Sequence, residues 1–486
     1  MHGESKTKEM RRIVLLLTIL GVSAAILHAA SEQESIRRVK YKGGPSYIYR
    51  VYLTDKKGTG YSLDHPSRFL SRRSVERRRR QGLPLDSTDL PVSYRYARMI
   101  ENNAVEIIGQ SRWHNTLLVR IKDSTLINRI NHLPCVKGSK MVWQSPDSIT
   151  PTAIKTKYRD SFEEHDSLTG QPYGTAAEQI NSIHGNRLHD IGQRGEGMMI
   201  AVIDGGFKNV DKIPAFQNVD IRGYRDFVCP ASPSFFSETD HGTKVLSAMA
   251  LYKPYYYIGT APRASYWLLR SEDQQTEQEV EEDYWTMAAE FADSVGCDII
   301  NSSLGYNEYD HHQMSYRQWQ LDGHTAFVSL SASLVAGKGM ILVNSAGNSG
   351  MGTWKKIGVP ADADHILTVG AILADEPHKI APFSSVGPTQ DGRVKPDVVA
   401  IGAPARLVNG RGAIISDMGT SFSAPIVCGL TACLWQALHQ LKAEEIIELI
   451  RKTSNNYEHP DNIYGYGVPN FWRAYMTGKV KVNSEK

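Results

Sequence analysis

The chain has little cysteine, five residues in 486, at Cys135, Cys229, Cys297, Cys428 and Cys433. The number is odd and no spacing matches a zinc site, which excludes a zinc-finger scaffold. Cys428 and Cys433 fall within one expected helix, where a bridge between them would be strained. No disulfide framework is therefore expected, and the thiols are read as buried. An excess of one charge is also missing. Fifty-five Lys and Arg face 52 Asp and Glu, a net charge of +3, so no nucleic-acid partner is expected. After the first thirty residues no apolar run reaches the roughly 20 residues of a membrane helix. No internal repeat is present. No acidic loop stands out as a calcium site, and neither a metal nor a cofactor is expected.

What is present suits a large soluble protein. Hydrophobic residues make up 41% and charged residues 22%, enough for a sizeable core and too much chain for one ordinary domain. Lys6, Lys8, Arg11 and Arg12 precede an apolar run at 13–27, and Ala29-Ala-Ser31 follows. That layout is a secretory signal over residues 1–30. The expected destination is export, to the cell envelope or the outside, with no stable membrane span after signal removal. An uncleaved anchor is the competing reading, and no cysteine follows the run to carry a lipid.

Residues 45–145 read as a small α+β unit in the order β-α-β-β-α-β. The strands are at 47–53, 105–108, 116–121 and 136–143, with helices at 66–81 and from a Ser124 cap to 132. The arginine run Arg72-Arg73, Arg77-Arg-Arg-Arg80 is expected to be a solvated helix face. Residues 146–172 are polar with little periodicity and form the expected linker. From 173 to 478, strands alternate with helices. The runs at 198–203, 340–343 and 366–372 are continuously apolar. Such runs suit strands buried on both faces, hence a parallel sheet between helical layers.

Three short motifs carry reactive side chains beside small residues: Ile200-Ala-Val-Ile-Asp-Gly-Gly206, His241-Gly-Thr243 and Gly419-Thr-Ser-Phe-Ser-Ala-Pro425. Asp204 ends a buried strand, at the edge where open α/β sheets collect their functional groups. His241 stands at the start of a helical pattern. Ser421 opens another, with Pro425 expected in its first turn. A hydroxyl, an imidazole and a carboxylate are the parts of a nucleophilic triad. Singly, each has a plainer explanation: a cap, a structural histidine, a helix start. In Asn344-Ser-Ala-Gly-Asn-Ser-Gly350, Asn348 offers an amide donor for an oxyanion.

In this order the motifs resemble the subtilisin-like serine proteases, the subtilase family, over roughly residues 173–478. The resemblance implies a three-layer α/β fold with a mostly parallel sheet. It implies that Asp204 orients His241, that His241 is general base and acid, and that Ser421 forms an acyl-enzyme. Asn348 would donate to the oxyanion with the Ser421 backbone N–H. Ser303, Leu304 and Gly305 match the strand that pairs with an extended substrate. Ser345, Ala346 and Gly347 match a wall of the specificity pocket. The unit at 45–145 resembles the family's ferredoxin-like propeptide, which implies a zymogen with its own propeptide as intramolecular inhibitor and a maturation site in 146–172. The implied partners are protein and peptide substrates. Many relatives bind calcium. The sequence departs from the family at Gly205-Gly206, at Phe422-Ser423, and at 306–330, which reads as an insertion beside the substrate strand. The alternative is a non-catalytic peptide-binding protein, a pseudoprotease on the same scaffold. The presence of all four site residues argues against it.

Overall fold

The computed structural model describes residues 46–145, 170–230, 232, 235–376 and 379–484. The expected signal at 1–30 and nearly all of the expected linker at 146–172 lie outside the described residues.

The N-terminal unit is a four-stranded antiparallel sheet with helices. Its elements are β1 (Tyr47–Leu53), α1 (Arg72–Gln81), α2 (Tyr94–Ile100), β2 (Val105–Ser111), β3 (Thr116–Ile121), α3 (Leu126–Asn131) and β4 (Val136–Gln144). The strand order is β2-β3-β1-β4. The expected helix at 66–81 is shorter. Pro66–Arg68 is a single 3₁₀ turn, and the helix restarts where the Ser71 hydroxyl accepts from Ser74 N–H. It ends at Gly82, left-handed at φ 69°. Helix α2 was not expected. At α3 the hydroxyl of Thr125 donates to Asp123, and no Ser124 cap forms.

Alternation along the strands makes this sheet two-faced. On β3, Leu117, Val119 and Ile121 belong to the unit's own core. Leu118 points the other way, into a cluster shared with the C-terminal unit, together with Ile48, Trp113, Val142 and Trp143.

The C-terminal unit is built on a seven-stranded sheet. Its strands are β5 (Met199–Asp204), β6 (Asp220–Asp226), β7 (Ser265–Arg270), β8 (Ile299–Ser302), β9 (Ile341–Ser345), β10 (Leu367–Leu373) and β11 (Val398–Ala403). Their order is β11-β10-β9-β8-β5-β7-β6, with every pairing parallel. The principal helices around it are α4 (His241–Ala250), α5 (Val280–Val295), α6 (Phe327–Gly337) and α7 (Thr420–Ala437). A two-stranded ribbon, β12 (Ala405–Val408) with β13 (Ile414–Asp417), leads into α7.

Strand β5 shows why the layers form. Ile200 and Val202 join one cluster, with Val245 and Leu246 of α4 and Ala424, Val427 and Leu430 of α7. Ala201 and Ile203 join the other, with Trp285, Ala288 and Ala292 of α5 and Val328 and Ala332 of α6. Each fully buried Val, Leu or Ile contributes about 1.5–3 kcal/mol relative to exposure. A chain with both strand faces apolar must be covered twice, and the three-layer α/β fold expected from the sequence is the result.

The arginine run is where expectation and structure part. Arg72, Arg79 and Arg80 are exposed, but Arg77 and Arg78 are each only 2% exposed. Helix α1 lies against the carboxyl end of α5. There Arg77 donates to the Cys297 and Lys338 carbonyls and pairs with Asp293, and Arg73 bonds the Gly296 carbonyl and pairs with Asp298. Cations are favoured where a helix leaves carbonyls unsatisfied. Arg78 and Arg112 complete the cluster on Asp293. Burial alone would raise the Asp293 pKa, but Arg112, Arg77 and Arg78 together hold it well below the ordinary carboxylate range.

Candidate active site

The sheet is parallel, so the carboxyl ends of β5, β8 and β9 lie on one edge. These ends carry Asp204, the Ser303–Leu304–Gly305 segment and the Ser345–Ala346–Gly347 segment. Residues up to 143 positions apart in sequence thereby reach one place.

Asp204 is wholly buried at the end of β5. Its Oδ1 accepts from Gly205 N–H at 2.8 Å. The His241 Nδ1 lies 2.8 Å from Oδ1 and 3.0 Å from Oδ2. A carboxylate there is satisfied by an N–H at Nδ1, which leaves Nε2 as the basic nitrogen. The approach depends on Gly242. A Cβ at that position would come within 2.5 Å of the Gly206 carbonyl and 3.0 Å of Asp204 Cβ. The Gly242 N–H instead donates to that same carbonyl at 2.9 Å.

Ser421 is the second residue of α7, 8% exposed, with its hydroxyl donating to the Ser303 carbonyl at 3.3 Å. Its own carbonyl accepts from the Ser303 hydroxyl at 2.8 Å. Pro425 explains why that carbonyl is available. In a helix, residue 425 would donate to residue 421, and proline has no N–H to do so. Pro425 falls in the second turn, since α7 starts at Thr420, and not in the first turn as expected. The nucleophile candidate and the substrate-strand candidate are thus held by two reciprocal hydrogen bonds. The Phe422 ring packs on the His241 imidazole, centroids 5.7 Å apart.

Asn348 is exposed, and its Oδ1 accepts from both the N–H and the hydroxyl of Thr420, each at 2.9 Å. This fixes the amide with its nitrogen as the outward donor. The Thr420 hydroxyl also accepts from Gly347 N–H at 3.2 Å. Gly347 sits at φ 101°, a conformation suited to glycine. The sequence marks Ser303 only as part of the substrate-strand segment and Thr420 only as part of the Gly-Thr-Ser motif. The structure gives both a place in the frame, and no local signal marks either.

The insertion at 306–330 leaves the substrate strand and turns onto α5. Tyr306 pairs with Val359 through two backbone bonds of 2.7 and 3.0 Å, and Tyr309 and Tyr316 donate to Glu282. Among the described residues, two groupings of carboxylates, one with a histidine, stand close enough together to hold a cation. At His324, Asp364 and Asp391, the Arg393 guanidinium already binds both aspartates, at 2.7 and 2.8 Å. At Glu272, Glu277 and Glu281, Glu272 accepts from the Tyr306 hydroxyl and Glu281 from Asp273 N–H. In the second grouping Glu281 Oε2 is buried, and no step of the chemistry is routed through a metal.

A model of the subtilase family matches residues 195–467. A model of the peptidase S8 propeptide domain of Bacteroidota matches residues 48–159. Subtilisin NAT of Bacillus subtilis subsp. natto is 28% identical over 273 residues, 56% of this chain and 62% of that protein. A subtilisin of Bacillus pumilus is 26% identical over 306 residues, 62% of this chain and 98% of that protein. The membrane-bound transcription factor site-1 protease of Mus musculus is 28% identical over 254 residues, 51% of this chain and 22% of that protein. The chain thus spans about three fifths of the length of the first of these relatives.

Proposed function

The chain belongs to the subtilase family and carries an S8 propeptide domain ahead of its peptidase domain, and on that premise we propose that it is an exported serine endopeptidase made as a zymogen. The observation that supports this most is the buried Asp204–His241 pair, on whose imidazole packs Phe422, the residue after Ser421 at the amino end of α7.

In this reading His241 Nε2 takes the proton of Ser421 Oγ as the hydroxyl attacks the scissile carbonyl. Asp204, already bonded to Nδ1, stabilises the imidazolium that forms. The oxyanion meets the Ser421 backbone N–H and the outward Nδ2 of Asn348. The amino end of α7 favours the same developing charge. His241 then gives its proton to the leaving amine, and water repeats the sequence on the acyl-enzyme. Substrate lies extended along Ser303, Leu304 and Gly305, with Ser345, Ala346 and Gly347 as the wall of the pocket for the residue before the cut. Gly305 is exposed and open to such a partner.

The propeptide domain would hold the enzyme silent. Its last strand leaves beside residue 278, where Gln144 and Gln278 exchange two hydrogen bonds of 2.9 Å. In the same loop Glu272 holds Tyr306, the residue after the substrate strand. The end of β4 is thus anchored to the loop that also holds Tyr306, which supports a tail directed to the cleft, and the proposed cut that releases the enzyme is in 146–172. Export follows from the signal layout at 1–30. Among the described residues no helix is long and apolar enough to cross a membrane.

A fluorophosphonate probe tests the reading. Correctly folded, processed protein should be labelled at Ser421, and His241→Ala should abolish the labelling. Absence of labelling in processed wild type would sink the protease reading. Purified Ser421→Ala protein should remain full length after the signal in the absence of other proteases. Cleavage as efficient as in wild type would rule out self-processing.

A further inference from the structure

Lys244 has no part in the chemistry above, yet its side chain is only 2% exposed. It follows His241 by one helical turn on α4, so the two share a helix face. Its ammonium lies 2.9 Å from Asp417 Oδ2 and 3.6 Å from Asp240 Oδ1.

Each aspartate belongs to a different catalytic segment. Asp240 immediately precedes His241, and its Oδ2 accepts from Gly410 N–H at 3.0 Å. Asp417 ends β13, and its Oδ1 accepts from Met418 N–H at 2.8 Å, in the short turn that enters α7 at Thr420 and Ser421. The ammonium also stands 5.8 Å from the centre of the Phe422 ring, the ring that packs on His241. An enclosed ammonium is costly unless paired, and a single cation here answers two carboxylates. Without it Asp240 and Asp417 would be like charges around one site, and like charges repel.

We propose that Lys244 is a positioning residue. It ties the turn that carries Ser421 to the helix that carries His241 and so sets the separation of nucleophile and base. The inference rests on the serine-protease reading. Reaction geometry is sensitive at this scale, since a shift of about 1 Å costs on the order of a hundredfold in rate.

The test uses the full chain, matured by a trace of tagged wild-type enzyme that is then removed. Lys244→Met keeps the aliphatic stem without the charge, and Asp417→Asn removes the other half of the tie. Steady-state kinetics on a peptide anilide are read beside the rate of fluorophosphonate labelling at Ser421. Lys244→Met should lower kcat by roughly 30- to 100-fold with KM within about threefold, and labelling should slow in parallel. The double variant should lose no more than the worse single one, because both break the same tie. A kcat within about twofold of wild type, or losses that multiply in the double variant, would overturn the role of Lys244. Should Lys244→Met fail to fold, Asp417→Asn decides alone: kcat lowered at constant KM supports the tie, and unchanged kcat overturns it. Wild type that does not label would overturn the serine-protease reading, and the role of Lys244 with it. A labelled wild type with unaffected variants would overturn the role alone.

Discussion

Asp204 and Asp293 are both wholly buried, and they are used in opposite ways. Asp293, on α5, is surrounded by the guanidinium groups of Arg77, Arg78 and Arg112, all from the propeptide domain. Asp204, at the end of β5, meets one imidazole and the N–H of its neighbour Gly205. Arginine does not lose its proton in a protein, so the charge around Asp293 is permanent. Histidine does, so in the proposed reaction the charge opposite Asp204 would come and go within a cycle. In the proposed reading the same buried carboxylate serves docking in one place and catalysis in the other. What differs is whether its partner can titrate.

The largest test of this contrast is a paired substitution. Asp204→Asn should lower kcat/KM by about 10⁴-fold, because an amide no longer selects the tautomer that His241 needs. Asp293→Asn in the matured enzyme, from which Arg77, Arg78 and Arg112 have left with the propeptide domain, should leave kcat/KM within about twofold, since its charge then answers no partner in the chemistry. Equal losses would erase the distinction.

Next is the docking of the propeptide domain. Asp293→Ala leaves three buried guanidinium groups without their shared anion. Breaking a buried pair in this way costs about 3–5 kcal/mol. The inhibition constant of the propeptide domain against mature enzyme should rise on the order of a hundred- to thousandfold, and an unchanged constant would show that the cluster contributes nothing to docking.

A third test sharpens the contrast by adding a titratable group to the docking seam. His114 lies there, with its Nε2 2.7 Å from the Ser331 hydroxyl and its ring on Phe327. Burial, with Arg50 nearby, pushes its pKa down to about 4. The docked state therefore prefers neutral His114. Its contribution is fully present above the free value near 6.5 and is lost as pH falls from there toward about 4. Burial raises the Glu290 pKa in the same seam, which acts in the opposite sense. Comparison of wild type with His114→Gln isolates the histidine. The inhibition constant should weaken by up to about tenfold per pH unit in that window for wild type only. Parallel profiles would exclude His114 as the source.

The smallest effect is expected at Arg79, whose pair with Glu76 is open to solvent. Arg79→Ala should change docking by less than about twofold, against a large loss for Arg77→Met two positions earlier on the same helix.

Those two arginines also show where the sequence is legible. The run at 72–80 marks a helix, and helical spacing implies two faces. Nothing local says which face meets an acidic partner, because Asp293 lies 216 residues from Arg77. The sheet could be read because its strands announce burial themselves: every residue of β5 on both faces is apolar up to Asp204. The frame around Ser421 could not. The bonds from Ser303, 118 residues away, and the place of Pro425 in the second turn depend on how α7 meets β8.

By itself the amino-acid sequence determined the strand-and-helix alternation, the parallel sheet, and three reactive residues set among glycines and small neighbours. These follow from short-range rules: periodicity of apolar residues, and the need for small side chains where backbones must approach closely. The tertiary structure decided the rest. It chose Arg73, Arg77 and Arg78 over Arg72, Arg79 and Arg80 for contact with α5. It joined Ser421 to Ser303, Asn348 to Thr420 and Lys244 to Asp417. Each of these joins a hydrogen-bond or charge partner to another across tens to hundreds of residues. Such a pairing gains energy only when both partners leave water together, so it is set by the packing of the layers and not by either segment alone.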